Sequence, residues 1–363
     1  MKEPRYYSAQ KLFTGKQWHE NATLVVEEGL VKEIIPTVKL ASSPAQVHPV
    51  IAPALIDLQI YGAGGKLLSM FPDTHSLDLL YQYCKAGGAH WFQPTLATNS
   101  RDVIFACIDA VRSYREQGGL GCIGLHIEGP WINEVKKGAH LASLIHAPSL
   151  EEAKEVLEYG KGIITMITVA PEVCSREVID LIRSYGVVVS AGHTNATYEE
   201  AMIAFDEGIP AATHLYNAMS PLQHRAPGMV GAVFNHSTVR SSIVPDGYHV
   251  DFAAIKIAKK QLGERLFAIT DAVTEATGGP YQHRLNGDRY EANGVLSGSA
   301  LTMLKCVQNF IQQVGIEPGE ALRMCSLYPA QLIQKPGITG LLEPGHAADI
   351  IALDERFGIA ISL

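Results

Sequence analysis

Eight short apolar runs of β-type residues recur through the middle of this chain, and amphipathic segments with helix punctuation separate many of them. The runs lie near Leu55–Ile60, His90–Pro94, Gly121–Ile127, Ile163–Val169, Val187–Ser190, Ala211–His214, Val239–Val244 and Leu266–Thr270. Eight alternating units are what a closed (β/α)8 TIM-like barrel requires, rather than an open sheet. The intervening segments carry start and stop signals. Ser149-Leu-Glu-Glu152 and Thr197-Tyr-Glu-Glu200 have the spacing of capping boxes, and Gly160 is placed to end the first helix. Asp251 is placed to cap a helix over 252–262 that stops at Gly263.

The ends of the chain read differently. Ala22–Val26 and Leu30–Ile35 are β-rich and joined through Glu28-Gly29, a hairpin signal. Ala348–Leu353 and Gly358–Leu363 are β-rich as well. One small β-sandwich domain built from both termini, residues 1–52 with 335–363, is expected beside a catalytic barrel over residues 53–334. A chain of 363 residues that is 47 % hydrophobic has ample material for both.

Charge and cysteine usage exclude several classes. A net charge of −8, with no clustered Lys and Arg, speaks against a nucleic-acid binder. Six scattered cysteines without a C-x-x-C pair, most in apolar surroundings, read as buried reduced thiols rather than a disulfide framework or zinc ribbon. The first residues lack the apolar core of a signal peptide, and no run approaches membrane-spanning length. A cytoplasmic protein without a membrane partner is expected.

Chemistry concentrates where apolar runs end. Gly124-Leu-His-Ile-Glu-Gly-Pro-Trp131, Val189-Ser-Ala-Gly-His-Thr194, Ala212-Thr-His-Leu-Tyr-Asn217 and Ala268-Ile-Thr-Asp-Ala272 each place an acid or histidine at such a boundary. In a barrel these positions share one mouth, the C-terminal face. Glu128, His193 and His214 make a set of two imidazoles and one carboxylate, common in hydrolytic zinc sites and leaving a position for water. Asp271, at the end of the last strand, is placed to move a proton between that water and a leaving group. Taken singly, a strand-end histidine is a structural residue and Asp271 a helix cap. The four together favour catalysis.

These segments, together with Ala52–Gln59, Lys137-Gly-Ala-His140, Ala226–Gly231, Asp246-Gly-Tyr-His249, Leu296–Thr302 and Gly345–Asp349, resemble the amidohydrolase superfamily. Within it they are similar to the N-acetylglucosamine-6-phosphate deacetylases. The resemblance implies hydrolysis of N-acetyl-D-glucosamine 6-phosphate to D-glucosamine 6-phosphate and acetate, in amino-sugar metabolism. It further implies Glu128, His193 and His214 as metal ligands, Asp271 as general base and acid, and His140 as the residue that polarises the amide carbonyl. Asn217, the Ala218 backbone, Arg225 and His249 match positions that hold the sugar phosphate, in an enzyme that is a homodimer or homotetramer, with some phosphate contacts crossing between subunits.

One segment departs from the superfamily pattern. Where many members carry His-x-His, this chain has Gln59-Ile-Tyr61. A neutral amide is a weak ligand and a tyrosine ligates only as phenolate, so one divalent metal per chain is expected, zinc by its ligands, with iron, cobalt or manganese as alternatives. Gln59 is then left to hydrogen-bond water or substrate. The galactosamine epimer as substrate, or a silent sugar-phosphate sensor on the same fold, remain the competing readings.

Overall fold

A computed structural model describes residues 3–40, 44, 46–292, 294–358 and 360–363. The N-terminal strands are Arg5–Phe13 (β1), Trp18–Glu27 (β2), Leu30–Pro36 (β3) and Val47–Pro53 (β4). The first barrel strand, Leu55–Ile60 (β5), follows at once, and then a short hairpin of Gly62–Ala63 (β6) and Lys66–Leu67 (β7). The barrel continues through Ala89–Ala97 (β8), Leu125–Glu128 (β9), Ile164–Val169 (β10), Val188–Ala191 (β11), Ala211–Ala212 (β12), Arg240–Ile243 (β13) and Leu266–Ala268 (β14). An arm follows, made of Arg284–Asn286 (β15), Arg289–Ala292 (β16) and Val295–Ser299 (β17). The chain ends with Ile350–Leu353 (β18) and Ala360–Ser362 (β19).

All eight expected barrel strands are present, parallel and in sequence order from β5 through β8 to β14. Closure is made just past β14. Asp271 N donates to Gln59 O (3.0 Å) and Tyr61 N to Ala272 O (2.9 Å), joining the last strand to the first. The eight-stranded α/β barrel is therefore a nearly closed one, and its strand ends meet at one mouth.

Strands from both termini form a separate six-stranded sheet in the order β19-β18-β4-β1-β2-β3. The hairpin between β2 and β3 turns at Glu28 (φ 52°) and Gly29 (φ 81°), the two positive φ values its tight turn needs. The sheet packs Leu12, Leu24, Val26, Ile51 and Ile350 into a small core of its own. In the expected segment Gly358–Leu363, Ile359 lies outside the described residues.

The helix signals map closely. Ser149 Oγ accepts from Glu152 N, and Gly160 ends helix Leu150–Tyr159. Thr197 and Glu200 form a complete capping box, and Asp251 accepts from Ala253 N at the start of Phe252–Leu262. All six cysteines are free and buried. No helix among the described residues is long and apolar enough to cross a membrane. The arm β15–β17 is the element the sequence reading missed.

Candidate active site

Strand alternation explains which side chains enter the barrel mouth. Along β5, Asp57 and Gln59 share one face with Tyr61 just beyond the strand, and along β9 His126 and Glu128 do the same. Glu128 is buried at the end of β9 and presents two differently used oxygens. Its Oε1 lies 3.0 Å from His214 Nε2 and 3.5 Å from His193 Nε2, while the two imidazole nitrogens are 3.1 Å apart. Donor atoms sharing one tetrahedral zinc at about 2.0–2.1 Å are spaced about 3.3 Å apart, so this triangle fits a single divalent cation.

The outer nitrogen of His193 agrees with that fit. His193 Nδ1 donates to Lys136 O (2.8 Å), which frees the Nε2 lone pair for a ligand. His214 Nδ1 is buried with no partner. Facing lone pairs on two imidazoles and a carboxylate are a costly arrangement unless a cation or proton lies between them. The imidazoles hold Glu128 well below the usual carboxylate range, against the upward push of its burial.

His140 stands on the other oxygen of the same carboxylate, with Nε2 3.2 Å from Glu128 Oε2. By spacing alone, Glu128, His140 and His193 also form a possible metal group. The hydrogen bond at its other nitrogen speaks against it. Thr98 N donates to His140 Nδ1 (3.2 Å), so that nitrogen carries the lone pair and Nε2 carries the proton. His140 is thereby a donor aimed into the cavity, kept neutral by burial and the nearby His193, which lower its pKa to about 4. Thr98 approaches so closely that a Cβ at Gly129 (φ 77°) would lie 2.2 Å from its Oγ1, so only glycine can follow Glu128 there.

Asp271 lies on the same cavity. Its Oδ1 accepts from Gln59 Nε2 (2.8 Å), and Oδ2 is 3.5 Å from His249 Nε2. Burial pushes this carboxyl above its ordinary range, while His249 and His214 pull it back. His249 is held from behind, its Nδ1 2.6 Å from Asp246 Oδ2. Burial would raise Asp246, but hydrogen bonds from His249 and the Tyr248 amide hold it low.

Backbone strain marks the same positions. His193 (φ 46°), His214 (φ 36°), Tyr216 (φ 77°), Ala218 (φ 50°) and Asp271 (φ 54°) are five of the nine non-glycine residues with positive φ among the described residues. Such conformations persist only where the surroundings impose them, and they cluster at functional sites.

Glu128, His140, His193, His214, Asn217, Ala218, His249 and Asp271 all line one open cavity. Gln59 and Arg225 do not. Gln59 is buried under the floor, where Nε2 meets Tyr61 Oη (2.7 Å), Glu128 Oε1 (3.1 Å) and Asp271 Oδ1. Arg225 is exposed in the loop before helix Gly228–Asn235. Tyr61 donates its hydroxyl to Glu128 Oε2. Burial raises its pKa far above the ordinary phenol value, so it acts as a neutral donor. The sequence reading missed Tyr281, His283 and Ser297, which reach the cavity from the arm and the segment leading into it. Of these only Ser297 had a sequence signal, as part of the Leu296–Thr302 segment.

The fold and this constellation define a class. The amidohydrolase family model matches residues 50–360, and the chain belongs to the amidohydrolase family, which makes it a hydrolytic enzyme. Within that family it is similar to two deacetylases of amino-sugar phosphates. It is 30 % identical over 350 residues to an N-acetylglucosamine-6-phosphate deacetylase of Haemophilus influenzae, covering 93 % of this chain and 91 % of the relative. It is also 30 % identical over 359 residues to an N-acetylgalactosamine-6-phosphate deacetylase of Escherichia coli O157:H7, covering 95 % and 94 %. The crystal structure of N-acetylglucosamine-6-phosphate deacetylase from Pasteurella multocida superposes with a TM-score of 0.91 at 31 % identity, covering 99 % and 98 %.

Proposed function

We propose that this protein hydrolyses the acetamide of N-acetyl-D-glucosamine 6-phosphate, giving D-glucosamine 6-phosphate and acetate, as a step of amino-sugar metabolism. The observation that carries the reading is the convergence of Glu128 Oε1, His193 Nε2 and His214 Nε2 on one point beside Asp271 in a single cavity. One divalent cation held there, zinc on this donor set with iron, cobalt or manganese as alternatives, supplies Lewis acidity and makes water more acidic.

The protein's own groups then have distinct duties. His140 Nε2–H donates to the amide oxygen and more strongly to the oxyanion that develops from it. Asp271 takes a proton from the attacking water as its oxygen bonds to the carbonyl carbon. When the C–N bond breaks, Asp271 returns that proton to the leaving amine. Gln59, bonded to Asp271 Oδ1, holds the carboxylate in line. Asn217, the Ala218 amide and His249 form the end that takes the phosphate. Arg225 lies outside the cavity of its own chain, so on this reading it reaches phosphate only across a homodimer or homotetramer contact.

Deacetylation of N-acetylgalactosamine 6-phosphate is the second reading, favoured by equal identity to a relative of that name. Asp271 argues against a silent sensor, because binding alone has no use for a base beside the ligand triad. The deciding experiment measures free amine and acetate from each epimer, with metal content determined on the same sample. Turnover with about one metal per chain is expected. Inactive, metal-loaded protein would refute the proposal.

A further inference from the structure

The segment leading into the arm β15–β17 brings to the cavity a histidine that the proposed chemistry does not use. His283 is buried, yet its ring lines the cavity shared by Glu128, His140 and Asp271. Its Nδ1 is engaged by Ser297 Oγ at 2.8 Å. No hydrogen bond among the described residues reaches its Nε2. A buried imidazole on a cavity wall, with one nitrogen fixed and no partner for the other, is an incomplete hydrogen-bond pair that a ligand can complete.

The supports of this ring are rigid. Tyr281 lies nearly parallel to it, 8° between planes and 6.3 Å between centroids. The Tyr281 hydroxyl donates to Thr98 O at 2.6 Å, on the residue whose N–H and Oγ hold His140. The wall carrying His283 is thus latched to the group that faces the scissile amide. Burial lowers the His283 pKa to about 4, which leaves an uncharged ring at neutral pH. An uncharged nitrogen suits a hydroxyl and is a poor partner for a phosphate.

We propose that His283, oriented by Ser297, is a sugar-hydroxyl recognition position: its Nε2 hydrogen-bonds one ring hydroxyl of the hexosamine phosphate, so the arm reads substrate structure. The inference rests on the amino-sugar phosphate reading above and adds to it a specificity-determining residue. Cavities built around a hydroxyl discriminate strongly against analogues lacking it, because the partner group is left unpaired.

The test pairs enzyme variants with substrate analogues. His283→Phe keeps a ring against Tyr281 and removes the nitrogens, whereas Ser297→Ala keeps the imidazole and removes its anchor. The kcat/KM of each is measured, with metal content, on N-acetylglucosamine 6-phosphate, its galactosamine epimer, and the 1-deoxy, 3-deoxy and 4-deoxy forms of the better substrate. The expected result is a loss of about 10- to 100-fold for His283→Phe and a smaller loss for Ser297→Ala on the better substrate. Metal content stays unchanged, and for one deoxy analogue wild type and His283→Phe agree within about twofold. An equal loss on every analogue would mean a merely structural role and overturn the proposal, as would no loss at all. A metal-loaded wild type that turns over neither epimer would overturn the underlying reading, and the hydroxyl position with it.

Discussion

Replacing Asp271 by Asn separates chemistry from architecture at this site. In the native protein Oδ1 accepts from Gln59 Nε2 at 2.8 Å, and Oδ2 faces His249 Nε2 at 3.5 Å. Asparagine has the same shape and can meet both neighbours. Its carbonyl oxygen replaces Oδ1 for Gln59, and its amide donates toward the lone pair left on His249 Nε2 when Nδ1–H points to Asp246. The neighbouring cluster of Glu128, His193 and His214 keeps every contact. The variant therefore folds, binds one metal per chain and binds substrate. It lacks only the proton acceptor. Loss of a positioned general base costs about 10²- to 10⁴-fold, or about 3 to 5 kcal/mol in the barrier. Steady-state rates of acetate release, with metal analysis and substrate binding by calorimetry on the same preparation, make the measurement. An Asn variant retaining a tenth or more of wild-type kcat would refute the assignment of Asp271 as base. Loss of metal or of substrate binding would show instead that Asp271 is structural.

Three further outcomes are expected. Tyr61→Phe removes one of two donors on Glu128 Oε2, leaving His140 alone there, so chelator competition should show metal affinity weakened by about 10- to 100-fold at unchanged stoichiometry; an affinity within twofold of wild type would reject the positioning role. Asp57, buried beneath the barrel closure and bonded by Thr270, has its pKa raised to about 7 by burial. Between about pH 4 and 7 the folded state then holds a proton that the unfolded state has lost, so this group's contribution favours folding at the acid end and is lost as pH rises through 7. Thermal unfolding of Asp57→Asn across this range should lack that downward component, and a pH profile identical to wild type would contradict it. Arg225→Ala should raise KM for the sugar phosphate several-fold with kcat little changed, and an unaltered KM would remove Arg225 from phosphate binding.

The barrel was legible because its signals are local. Each strand run and each cap, such as Ser149, Thr197 or Asp251, is specified within a few residues, and closure merely adds them in order. The strand-end placement of Glu128, His193, His214 and Asp271 was legible for the same reason, since a barrel gathers all its C-terminal strand ends at one mouth. The arm β15–β17 was not. Its strands are three to five residues long and lie in none of the eight repeating units, so no periodic pattern pointed His283 toward the site, and Ser297 was touched only by the Leu296–Thr302 resemblance.

The linear order of residues by itself determined the fold class, the terminal sheet strands and the chemical types assembled at the mouth. It could not determine roles that depend on which nitrogen bears a proton or which oxygen faces which neighbour. Only the tertiary structure made His140 a donor, through a backbone N–H from Thr98 forty-two residues away, and Tyr61 a donor to Glu128 across the barrel. It also placed Gln59 beneath the cavity as the support of Asp271 and left Arg225 outside it. The physical reason is range. Propensity and periodicity act over a turn or a strand, whereas hydrogen-bond polarity and burial are set by atoms that meet only when the barrel closes.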